Sequence, residues 1–245
     1  QDFMQSKVFD ILKLLNSRDL ASFKKFLNSP FHNTNSNMIK LFEIFKSYHP
    51  GYNQKELTKE KIFKQIYGNK KYNDSLTRNL MSDFLSLMEN FIVHKDLKYN
   101  TTERRKLFTA SLLGMKQYNY FSKSYKQSLK ELDLLPKRNH TYYKHLADFS
   151  LQRINYLDET ENEFLAYIDE LSEARNNLLN YFLLMMLNFY GPISQFRTAE
   201  AEKFNFPFLE EILNYIECNK QSTPVVIIIY YEFFKLHYTK DLKYY

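Results

Sequence analysis

The stretch "STPVVIIIYYEFF", residues 222–234, decides the fold class. Its run of β-branched and aromatic residues has the composition of a strand. Two features argue for a helix instead. Thr223-Pro224 pairs a capping residue with the residue best shaped for a first helical turn. The neighbouring segments all repeat their apolar residues at helical spacing. The stretch is therefore read as a buried helix, and the chain as all-α.

Upstream, Phe206-Pro207 sets a proline at a first helical position, continued by Leu209, Ile212, Leu213 and Ile216. Before it, Thr160-Glu161-Asn162-Glu163 is a capping-box pattern that opens a long helix, or two helices with a kink between them. The apolar face of that helix runs through Phe164, Ile168, Leu171, Leu178, Phe182, Met185 and Phe189 until Gly191-Pro192. Leu146, Phe149, Ile154 and Leu157 mark a helix beyond the linker Pro136–Thr141, and helices around Leu107–Met115 and Tyr118–Leu135 precede that linker.

The first third repeats the pattern. Val8, Ile11, Leu12 and Leu15 form one helix; Asp19 caps a second through Leu20, Phe23, Phe26 and Leu27; Met38, Leu41, Phe42, Phe45 and Tyr48 mark a third. Thr58 is an N-cap with Leu57 and Ile62 spaced as a hydrophobic staple, and Gly68 is a left-handed C-cap. Asp74 caps the most regular helix, with Leu76, Leu80, Phe84, Leu87, Met88 and Phe91 on one face. About eleven helices result. Residues 1–97 read as an N-terminal helical bundle. Residues 98–245 read as a degenerate, tetratricopeptide-like α-α superhelix in which helix pairs recur at roughly 30–40 residues, although the consensus of that repeat is not met. The end "HYTKDLKYY" carries no cap or polar tail, and a C-terminal continuation is expected.

Composition bounds the function classes. The 4 glycines and 6 prolines among 245 residues are too few for a turn-rich β protein. All four glycines are isolated, which excludes a glycine-rich phosphate loop of known type. The single cysteine, Cys218, allows no intrachain disulfide and fits a reducing, cytoplasmic setting. The longest apolar run, Val225–Tyr231, is far short of the ~20 residues of a membrane-spanning helix. No His-Glu-x-x-His pattern or cysteine pair suggests a metal, and no cofactor is implied.

Few residues invite chemistry. His145 has Asp148 three positions on, a surface pair by helical geometry. Asp158, Glu159, Glu161 and Glu163 sit across a helix start, where carboxylates are favoured without a ligand. Cys218 has no histidine nearby in sequence and reads as structural.

Charge is unevenly spread. Residues 55–145 hold nineteen basic against nine acidic residues, whereas residues 146–219 hold four against thirteen. Within the basic region, Lys70, Lys71, Arg78, Lys95, Lys98, Arg104, Arg105 and Lys106 are candidate partner-binding cations, interleaved with Tyr67, Tyr72 and Tyr99. Cations beside stacking rings suit a nucleic acid. The acidic half equally suits a basic partner, or the basic region of a second copy of this chain.

The stretches "LASFKKFLNSPFHN", residues 20–33, and "LTKEKIFKQIYGNKKYNDSLTRNLMSDFLSLMENFIV", residues 57–93, resemble the amino-terminal half of a family of uncharacterised bacterial proteins. Its pattern of Phe-x-x-Phe-Leu-x-Ser-Pro-aromatic-aromatic-Asn is matched by Phe23, Phe26, Leu27, Ser29, Pro30, Phe31 and Asn33, and His32 departs from it. The resemblance implies an all-helical fold in a longer protein and carries no activity. Ser29, Pro30, Phe31 and Asn33 then form a helix–corner–helix signature in which Phe31 turns inward and His32 packs. The expected function is a non-enzymatic scaffold that binds a protein or peptide partner on a helical-repeat surface. The alternative is a nucleic-acid binder using residues 55–145, and the remotest is a hydrolase built on the carboxylates or His145.

Overall fold

The computed structural model describes residues 7–52, 57–160, 164–195 and 206–242. Eleven helices and no strand occur among the described residues. Helix formation follows from the caps and the apolar spacing.

The chain divides at Asn100 into two compact units. The expected boundary, residue 97, falls inside a helix that runs on to Tyr99 with Asn100 as its C-cap. The first unit holds α1 (Lys7–Leu14), α2 (Ser17–Leu27), α3 (Ser36–Ser47), α4 (Lys59–Tyr67) and α5 (Asp74–Tyr99). Helix α5 is packed by α1, α2 and α4. Its buried residues Leu80, Phe84, Met88 and Phe91 meet Phe9, Phe23, Phe42 and Phe45 in one core. The Phe23 ring lies 5.1–5.6 Å from the rings of Phe42, Phe84 and Phe91, tilted or edge-on, the preferred aromatic geometry.

Thr58 caps α4, as expected, and Leu57 and Ile62 are both buried. Two other caps shift by a few positions. Asn16, not Asp19, caps α2, and Asn73, not Asp74, caps α5. Each asparagine accepts from the backbone N–H three residues on, which leaves Asp19 and Asp74 free to pair with cations. Gly68 has φ 68° and ψ −128°. This positive-φ region lies outside the left-handed helical well, and only glycine enters it cheaply.

The second unit holds α6 (Thr101–Gly114), α7 (Tyr118–Asp133), α8 (His140–Thr160), α9 (Phe164–Gln195), α10 (Leu209–Cys218) and α11 (Val225–Leu242). Helix α9 packs most extensively on α8 and also on α11; α6, α7 and α8 pack on one another. Of the expected capping box, residues 161–163 lie outside the described residues, and Thr160 closes α8. Helix α9 passes through Pro192 rather than stopping at it. Pro207 precedes α10 by two residues, because Phe208 takes a left-handed conformation at the N-cap.

The deciding stretch is indeed a helix, but it is buried on one side only. Ile227, Tyr231 and Phe234 are buried, while Val225, Ile229, Phe233 and Leu236 are exposed. Thr223 does not cap it; its hydroxyl donates to the Asn219 carbonyl at 2.9 Å. No helix among the described residues is long and apolar enough to cross a membrane.

Candidate functional site

Helix α9 is apolar on two faces and polar in an unexpected place. The stripe read as its apolar face does not meet the core. Leu178 is 58% exposed and Phe189 55%, and Ile168, Leu171 and Phe182 are also exposed. The buried residues are Ala174, Asn177, Leu183, Leu184, Leu187 and Tyr190. Two partners explain this rotation. The Tyr125 hydroxyl of α7 donates to Glu170 at 3.3 Å, and Arg153 of α8 lies 4.0 Å from the same carboxylate. These groups draw the polar side of the first half of α9 inward. At its other end, Tyr190 donates to the Pro207 carbonyl at 2.6 Å, and its ring meets Phe206 edge-on.

The outward face forms an open groove of about 770 Å³, lined by Leu178, Leu179, Tyr181, Phe182, Met185, Met186 and Phe189, with Arg175 at its end. From Asn176 to Gln195 the helix carries no charged residue. Two methionines in such a groove give a soft surface that adapts its shape to an apolar occupant.

Polar chemistry gathers elsewhere. Burial raises the pKa of Glu170 above the ordinary carboxylate range, and the nearby Glu173 adds to the shift. Between α6 and α8, Lys106 donates to Glu103 and Asp148 at 3.1 and 2.9 Å. His145 is buried beside them, its Nδ1 lying 3.7 Å from Glu103 without a hydrogen bond. Burial lowers its pKa, an effect Glu103 partly opposes. Asp148 thus pairs with Lys106 rather than with His145. Gln152 completes this seam by accepting from Thr109 and donating to the Lys106 carbonyl. None of these groups lines the groove. No cluster of three His, Cys, Asp or Glu able to hold a metal occurs among the described residues.

Of the eight candidate cations, four are engaged within the chain. Arg78 pairs with Asp74, Lys95 with Asp19 at 2.5 Å, Arg105 with Glu131 through two hydrogen bonds, and Lys106 with Glu103 and Asp148. The Arg105 pairing holds Glu131 below the ordinary carboxylate range. Lys70, Lys71, Lys98 and Arg104 are exposed, and among the described residues no carboxylate pairs with them. Lys70 and Lys98 lie over the rings of Tyr67 and Tyr99.

The corner departs from expectation at one residue. Phe31 does not turn inward; it is 88% exposed. The backbone N–H groups of His32 and Asn33 both donate to the Ser29 carbonyl, which closes the turn and leaves Phe31 at its apex. His32 occupies the inner place, stacked on Phe26 at 4.0 Å and edge-on to His94 at 4.8 Å. Asn33 ties the corner by donating to the Leu27 carbonyl at 2.9 Å.

In comparisons with known proteins, no protein-family model, curated protein or solved structure matches this chain. The outward groove of α9 was missed in the sequence because its stripe looked like an ordinary core face. The available signal was the twenty-residue uncharged run, which holds more apolar residues than one face can bury.

Proposed function

We propose that this protein is a non-enzymatic interaction protein that seats a protein or peptide partner on the outward face of its second unit. One observation carries this reading. On α9 the polar Glu170 and Asn177 turn inward while Leu178, Phe182 and Phe189 stay exposed. A soluble helix normally does the opposite, and an exposed contiguous apolar face marks an interaction surface. The degenerate helical-repeat arrangement of residues 98–245, and the kinship with the bacterial family suggested by residues 20–93, belong to this proposal. So does a cytoplasmic setting, which the free thiol of Cys218 fits.

A library of displayed peptides, selected on the purified chain, tests the reading. Enriched sequences should be amphipathic, and they should lose binding to Phe182→Glu and Phe189→Glu variants that keep native circular dichroism. Enrichment that ignores both substitutions would overturn it. The nucleic-acid alternative rests on Lys70, Lys71, Lys98 and Arg104. A labelled oligonucleotide that does not bind even at low salt removes that alternative.

A further inference from the structure

The outward residues of α9 form one stripe along the helix, at a spacing that a second helix can match. Ile168, Leu171, Leu178, Phe182, Met185 and Phe189, with Arg175 filling the one gap, are spaced 3, 4, 3, 4, 3, 4. Counting Arg175, that is a heptad a/d spacing with an average repeat of 3.5 residues. Such a repeat keeps a seam in register with a second helix that supercoils around it. The seam extends over residues 168–189, about 30 Å of helix at 1.5 Å per residue.

We infer, on the interaction reading above, that the occupant is an apolar-seamed helix carrying a carboxylate opposite Arg175. Arg175 is exposed at an a position, and its guanidinium reaches only the Asn176 side-chain oxygen, at 3.2 and 3.4 Å. Among the described residues no carboxylate pairs with it. A helix that covered the seam without an acidic group would bury this cation unpaired, which is strongly unfavourable. A second copy of this chain supplies no such group from its own seam. The flanking e and g positions are Ser172, Ala174, Leu179, Tyr181, Met186 and Asn188. The nearest acids of α9, Asp169, Glu170 and Glu173, fall at b, c and f, and Glu170 faces inward. A charged a position in an apolar seam also selects register and partner. One acidic residue at the matching place would thus identify the right helix.

Two designed peptides test this. Both are helices of about four heptads with Leu at a and d. One carries Glu, the other Lys, at the position facing Arg175. Fluorescence anisotropy against the full chain should show the Glu peptide binding at least about tenfold tighter. The preference should reverse against Arg175→Glu. Both peptides should lose binding to Phe182→Glu. Equal binding of the two peptides, lost on Phe182→Glu, would overturn the acidic pairing and leave the interaction reading intact. Failure of the Glu peptide to bind would overturn the inference, while the library selection judges the broader reading separately. Sedimentation showing a dimer that Phe182→Glu dissociates would overturn it in favour of a second copy.

Discussion

The two units treat their apolar residues differently. In the first, the helices surround α5 and close a core in which Phe9, Phe23, Phe42, Phe45 and Phe84 are fully buried. Seven large apolar residues stay exposed there among the described residues, against nineteen in the second unit. The second unit has a core of its own, centred on Phe121, Phe149, Leu183, Leu187 and Phe234. Its helices α9 and α11, however, are apolar on more faces than that core can use. The first unit is finished by folding; the second, on the reading given above, is finished by a partner. The difference teaches that a high apolar content is not by itself a measure of core size.

The largest expected effect lies in the closed unit. Phe23→Ala removes a fully buried ring in contact with three others and should cost about 3–5 kcal/mol in chemical denaturation. A loss below about 1 kcal/mol would mean that this core is loosely packed and that the contrast fails.

The sharper test compares two leucines of α9. Leu184 is buried and Leu178 is exposed. Leu184→Ala should destabilise by about 2–5 kcal/mol. Leu178→Ala should stay within about 0.5 kcal/mol of the parent. Equal costs would show that the outward stripe is already covered in the free protein.

At the corner, Asn33→Ala should cost about 1 kcal/mol, through loss of its bond to the Leu27 carbonyl. Phe31→Ala should lie within about 0.5 kcal/mol of the parent, since the ring is exposed. His32→Phe should be tolerated, because the imidazole serves as a stacked ring on Phe26. Thermal melts that rank Phe31→Ala as the costliest of the three would return that ring to the core.

The smallest effect is a pH dependence in the second unit. Burial disfavours the charged form of His145 and lowers its pKa from the ordinary 6.5, with Glu103 and Asp148 favouring the charged form and Lys106 and Lys144 opposing it. As pH falls below 6.5, the unfolded chain takes up this proton before the folded chain does. Stability from this group is therefore complete above that pH and declines as pH drops towards the folded value. The His145→Gln variant should lose less stability than the parent between about pH 7 and 5, with the other histidines as a common background. Equal slopes in denaturant midpoints would show that burial of this imidazole has no energetic weight.

Much of this was legible in local patterns. The spacing of Leu76, Leu80, Phe84, Leu87, Met88 and Phe91 named the helix and most of its buried face, although Leu76 at its start is exposed and Leu87 is half-buried. The Leu57–Thr58–Ile62 entry was legible because caps and staples act within a few residues. Asp19 and Asp74 misled, since an asparagine just upstream served better as a cap and distant lysines claimed the carboxylates. Basic residues 55–145 were visible as a charge excess, yet Lys95, Arg105 and Lys106 find in-chain partners up to 76 positions away, which no charge count reveals.

By itself the sequence determined that this chain is helical, because helix formation follows from periodicity, caps and the rarity of glycine and proline. It also determined the site of the corner between α2 and α3, because Pro30 cannot continue a helix. Tertiary structure alone decided which face of α9 is buried. Periodicity places Leu178 and Leu184 on different sides of one helix and says nothing of which side meets a neighbour. That choice was made by Tyr125, Arg153 and the Pro207 carbonyl, contributed by α7, α8 and the segment before α10. These groups satisfy polar side chains that would otherwise have stayed in water, and so they leave an apolar seam outside.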